Sequence, residues 1–189
     1  MPIPRLRIQE SALLVVDVQE KLVQAIPDRQ REKLINNCVI MLKMAGELRI
    51  PYLVTEHYPA GLGRTVEPLA AAMSNQAARV EKTRFSALVD VVDDLLRSWQ
   101  RTSVLLCGIE AHVCVMQTAL DLQAGGRQSF IVSDAIAAMQ PDQIQHALRR
   151  MEAAGAVTTG VMAAMYELLG DARHPARQAC VELAKAIRF

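Results

Sequence analysis

The chain has 189 residues, 51% of them hydrophobic and 22% charged, with a net charge of +1. That balance suits one globular domain with a full core and excludes a disordered chain. Near-neutral charge with scattered Arg and Lys gives no electrostatic case for nucleic acid or an anionic membrane as partner.

The opening MPIPRLRIQE lacks the basic-then-apolar pattern of a secretory signal, and no apolar run approaches a membrane span. The cytoplasm is the expected location. SALLVVDVQ (11–19) is a run of Leu and β-branched residues that ends at Asp17, the pattern of a strand buried on both faces. Residues 28–48 place Leu34, Cys38, Met41, Leu42, Ala45 and Leu48 at helical spacing, and IPYLVTE (50–56) starts a new strand. Residues 57–75 hold Pro and Gly in their first half and read as a long connection. ARVEKT (78–83) is a short strand. Ser86 is the expected N-cap of a helix over 87–99, with Val89, Val92, Leu96 and Trp99 along one face.

A strand over 102–108 leads into GIEAHVCVMQTALDL (108–122), where Val115, Ala119 and Leu122 recur at helical spacing and Cys114 falls in the first turn. The first turn offers unpaired N–H groups and the positive end of the helix dipole, which favour a thiolate. Gly125–Gly126 stops that helix. Then come a strand over 128–133, a helix opened by Pro141 and stopped at Gly155, a last strand in AVTTG (156–160), and helices over 162–169 and 174–187. Strands that are continuously apolar and alternate with helices predict an α/β fold. The expected architecture is one three-layer αβα domain spanning 1–189, with a mostly parallel sheet of about six strands and helices on both faces.

Of the four cysteines, Cys38, Cys107 and Cys180 fall on apolar positions, where burial is expected, and none pairs as C-x-x-C. Ligands of open parallel sheets bind beyond the carboxyl ends of the strands. Asp17, Lys82 and Cys114 all lie at such ends: a base, a cation that tunes its neighbours, and a nucleophile. Asp17 as a turn cap, Lys82 as a surface residue and Cys114 as core are the plain structural alternatives. No G-x-G-x-x-G follows the first strand, which disfavours a nucleotide-binding regulator.

LLVVDVQ, EKTRFSAL and GIEAHVCVMQTALDL resemble the three signature segments of the isochorismatase-like cysteine hydrolases over roughly residues 10–170. VTEHYPAGLGRTV and DARHP are closer still to the isochorismatase domain-containing subgroup. The resemblance implies a triad of Asp17, Lys82 and Cys114. It also implies a cis peptide before Glu110, with an oxyanion hole from the Glu110 and Cys114 amides. The activity implied is hydrolysis of a small amide or related C–N bond through a thioester. Isochorismate-type vinyl-ether hydrolysis without a nucleophilic thiol, and a redox-sensitive non-enzymatic oligomer, are the alternatives.

Nicotinamidases of this superfamily hold a metal through an Asp-x-His pair and further histidines after the second strand. Here TEHYPAGLGR supplies only His57, with Glu56 beside it, so no metal and no cofactor are expected. His57, Tyr58, Arg64, Phe85 and His112 are the candidate substrate-pocket residues. The expected partners are a small-molecule substrate and further copies of the chain: nine methionines and the apolar VMAAMYELL suggest more apolar surface than one domain hides.

Overall fold

The computed structural model describes residues 3–75 and 77–188. Its central strand, β1 (Ser11–Val16), sends alternate side chains to opposite faces, and both faces are apolar. Leu13 and Val15 enter one core cluster; Ala12, Leu14 and Val16 enter the other. β2 (Tyr52–His57) and β3 (Ala78–Lys82) extend the sheet on one side of β1, while β4 (Ser103–Gly108), β5 (Gln128–Ile136) and β6 (Val157–Thr159) extend it on the other. The order is β3-β2-β1-β4-β5-β6 and every pairing is parallel. The order therefore reverses between β1 and β4, which opens a crevice at their carboxyl ends.

Helices α1 (Glu20–Gln24) and α2 (Asp28–Glu47) pack on one face through Val23, Leu34, Cys38 and Met41. The 57–75 connection is more ordered than its Pro and Gly content suggests, and holds the short helices α3 (Pro59–Leu62) and α4 (Glu67–Ala72). Pro59 and Pro68 sit in their first turns, where a missing N–H costs nothing. The opposite face carries α5 (Asp90–Ser98), α6 (Met116–Ala124) and α7 (Asp142–Ala153), which bury Val92, Leu96, Ala119, Leu122 and Met151. α8 (Val161–Leu169) and α9 (Arg177–Ala184) return to the first face through Met165, Leu168 and Cys180. No helix among the described residues is long and apolar enough to cross a membrane.

Three boundaries differ from the sequence reading. Ser86 does not cap a helix; its hydroxyl accepts the Leu88 N–H in a local turn, and α5 starts at Asp90, where Asp90 and Asp93 complement the dipole. β5 runs on to Ile136 because a register shift lets Ile136 pair with Gly108. The last helix is shorter than 174–187, since His174 closes a turn on Asp171 and its Nδ1 accepts the Ala176 N–H.

Gly108 ends β4 with φ +119°, against the backbone of β1. A Cβ there would meet the Val16 carbonyl oxygen at 2.1 Å, and that oxygen also accepts the Ile109 N–H. Gly108→Ala is expected to cost at least about 3 kcal/mol in denaturant unfolding. Gly126→Ala, at φ +77° with nothing within 4 Å, serves as the comparison and is expected to cost only about 1–2 kcal/mol.

Candidate active site

Asp17 follows β1 in a left-handed conformation (φ 52°) and is fully buried. The parallel register sets Thr55 of β2 beside Val16, and the Thr55 hydroxyl donates to Asp17 Oδ1 at 2.7 Å. Lys82, the last residue of β3, reaches across β2 and donates to Asp17 Oδ2 at 2.6 Å. Its ammonium also donates to the carbonyls of Arg84 (3.1 Å) and Phe85 (3.0 Å). All three of its protons are thereby engaged, as a buried ammonium requires.

Across the strand-order reversal, the Ile109–Glu110 peptide is cis and leads into a π-helical turn over Ala111–Val115 that continues as α6. The helical segment thus opens at Ala111 with Cys114 as its fourth residue, and the Val115 N–H reaches back to the Glu110 carbonyl. Cys114 is 6% exposed, and its thiol faces Asp17. Thr118 holds this turn against the segment after β3: its hydroxyl donates to the Cys114 carbonyl and accepts the Ala87 N–H.

The expectation that a helix start would favour the thiolate is reversed. Burial, followed by the charge of Asp17 and its hydrogen bond to the thiol, pushes the Cys114 pKa up to about 12. Lys82 and the Glu110 N–H act in the opposite direction and are outweighed. The resting thiol keeps its proton, beside a carboxylate able to accept it.

The structure brings His57 and Phe85 together, with ring centroids 5.3 Å apart, and leaves Phe85 and Tyr58 about half exposed. His112 stands across β1, its Nδ1 3.6 Å from Glu110 Oε2. Arg64 is tied to the loop itself: it donates to Glu56 Oε2 at 2.9 Å and also to Glu81. The buried Glu56 accepts the Thr65 N–H and hydroxyl as well, both at 2.7 Å. Burial alone would raise the Glu56 pKa, but the Thr65 and Arg64 donors together hold it below the ordinary carboxylate value. Tyr58, Arg64, Lys82 and Arg84 border a cavity of about 790 Å³ beside the outer edge of β3.

Gln19 and Thr118 escaped the sequence reading. Gln19 is fully buried and clamps the 57–63 segment, donating to the His57 (3.0 Å) and Gly63 (2.7 Å) carbonyls and accepting the His57 N–H (2.7 Å). Its position two residues after Asp17 was a usable signal. Nothing marked Thr118, whose contacts depend on the approach of distant segments.

With the Cys114 pKa raised above its ordinary value, only a small fraction of thiolate exists at neutral pH. Iodoacetamide labelling of Cys114 in the native protein is expected to be slow and to rise about tenfold per pH unit between pH 7 and 10. Asp17→Asn removes an opposing charge and should speed labelling, whereas Lys82→Met should slow it. Timed peptide mapping by mass spectrometry checks this; fast labelling that is independent of pH would contradict it.

A model of the isochorismatase domain matches residues 11–162. The chain is 33% identical to isochorismatase family protein 1B of Dictyostelium discoideum, over 95% of this chain and 88% of that protein. It is 38% identical to isochorismatase domain-containing protein 2 of Rattus norvegicus, over 88% of this chain and 77% of that protein. Among solved structures it resembles the MAR1 ribonuclease of Caenorhabditis elegans, with a TM-score of 0.91 and 35% identity over 95% of this chain and 92% of that one. A six-stranded parallel sheet, a family model that spans its core and relatives matched over most of the chain agree: the chain belongs to the isochorismatase family of hydrolases.

Proposed function

We propose that the protein is a cysteine hydrolase that cleaves a small amide or related C–N bond through a thioester on Cys114. The observation that carries this reading is the contiguity of Lys82, Asp17 and the Cys114 thiol at the strand-order reversal. Asp17 accepts the thiol proton as the sulfur attacks the carbonyl carbon. The tetrahedral oxyanion rests on the Glu110 and Cys114 amide N–H groups. Asp17 then protonates the leaving nitrogen, the C–N bond breaks, and the acyl group remains on sulfur. Asp17 deprotonates a water that attacks this thioester, releasing the acid and restoring the thiol. Lys82 holds Asp17 in position through their ion pair. His57, Tyr58, Phe85 and His112 form the rim that selects the substrate, with Arg64 holding the loop that carries the first two.

A screen over small amides and carbamoyl compounds tests the proposal. Cys114→Ser should lower turnover at least about 10³-fold and abolish an acyl adduct detectable by intact-protein mass spectrometry. Turnover that survives Cys114→Ser but not Asp17→Asn would instead indicate isochorismate-type vinyl-ether hydrolysis. The neighbour named as a ribonuclease, at 35% identity, favours a second reading in which RNA is the substrate, so labelled RNA belongs in the same screen.

The protein is also read as a homo-oligomer, supported by Tyr58, Val91, Met139, Met162 and Tyr166, large apolar side chains left exposed. Light scattering at micromolar concentration should give a multiple of the 20.8 kDa chain mass, and a monomer would contradict this reading.

A further inference from the structure

A second cavity, of about 560 Å³, lies at the amino ends of β2 and β3, away from the thiol. Along β3 alone, from Ala78 to Lys82, the separation is about 13 Å. The ends of α2 and α5 also wall this cavity, whose volume is in the range of small-molecule sites. Its polar and aromatic lining comprises Arg49, Arg101, Trp99, Tyr52 and Ser74, and no Asp or Glu occurs among the described lining residues.

These arginines are not needed as helix caps. α2 closes through Arg49 N–H to the Gly46 carbonyl (3.1 Å) and Ile50 N–H to the Ala45 carbonyl (2.8 Å). α5 closes the same way, through Gln100 N–H to Arg97 (2.9 Å) and Arg101 N–H to Leu96 (3.1 Å). Arg49 and Gln100 adopt left-handed φ values of 54° and 56° to make these closures, in which main-chain donors satisfy the carbonyls. Both guanidinium groups are therefore surplus to the helix ends. Arg101 Nε is moreover buried without a hydrogen-bond partner among the described residues, a costly state for a cationic donor. The Tyr52 hydroxyl accepts the Ser74 N–H at 2.7 Å and keeps its own proton to donate.

A guanidinium fork matches the oxygens of a phosphoryl group, and an indole face suits an apolar or planar body. We propose that this cavity binds a phosphate-bearing small molecule. Arg49 and Arg101 hold the phosphoryl group, the Tyr52 hydroxyl donates to it, and Trp99 covers the organic part. The site is separate from the hydrolytic one and does not depend on the reaction assigned to Cys114.

Trp99 is the single tryptophan of the chain, so intrinsic fluorescence reports on this cavity. Phenyl phosphate and inorganic phosphate are titrated into the full-length protein at constant ionic strength, with sodium chloride as the control. A saturable change is expected with both, at lower concentration for phenyl phosphate. Arg101→Met should weaken it by at least about tenfold. Arg101→Lys, which keeps the charge but loses the fork, should also weaken it, with circular dichroism confirming the fold of each variant. Cys114→Ser should leave it unchanged. The absence of a saturable change at tens of millimolar ligand overturns the proposal. So does a change that chloride reproduces, that both Arg101 variants retain, or that Cys114→Ser removes.

Discussion

The ion pair between Asp17 and Lys82 is the constraint on which the rest of the site depends. Both side chains are fully buried, 2.6 Å apart, at the carboxyl edge of the sheet. Removing one partner from such a pair strands a charge in a low-dielectric interior, at a cost of about 3–5 kcal/mol. The surroundings are built to prevent that. Thr55 occupies the second carboxylate oxygen, and the chain after β3 turns so that the Arg84 and Phe85 carbonyls take the remaining ammonium protons. The pair thus fixes the relative positions of the β1, β2 and β3 ends and the path of the chain beyond Lys82.

That pair also decides the state of Cys114. A buried carboxylate next to a thiol opposes a second negative charge, and the nearby ammonium compensates only in part because Asp17 is its immediate partner. Desolvation adds to the opposition. A thiol that holds its proton at rest is guarded against adventitious oxidation and alkylation, since the thiolate is the reactive form. Under the proposed mechanism the proton moves to Asp17 only as the sulfur attacks, when the developing charge passes from sulfur to an oxyanion beside two backbone amides.

The loop after β2 illustrates a different use of a buried carboxylate. Glu56 points into its own loop, where Thr65 and Arg64 satisfy it, while Gln19 clamps the loop from the β1 side. His57 and Tyr58 therefore sit on a segment held by two polar clamps, at the margin of the crevice. Rigid support of this kind holds the side chains of the segment in reproducible positions.

Much of this was legible in the chain. Runs such as ALLVV and VLLC are apolar at every position, and only a strand covered on both faces accommodates that, so the layered α/β architecture followed from local pattern. Asp17 stood out because it ends an apolar run at a strand terminus, Lys82 because it ends the short strand ARVEK, and Cys114 because it lies in the first turn of the helical segment after a buried strand. Helix starts were less legible: the Ser86 hydroxyl found a nearer donor in Leu88, and the helical segment containing Cys114 opens as a π-turn that no residue pattern announces. Residue type and order determined the fold class and the chemical groups at the site. Only the tertiary structure decided the partners of Thr55, Thr118 and Gln19, the placing of Arg49 and Arg101 on one cavity, and the protonation of Cys114. Those depend on strand register, close approach of segments distant in the chain, and exclusion of water, and none of the three is a property of local sequence.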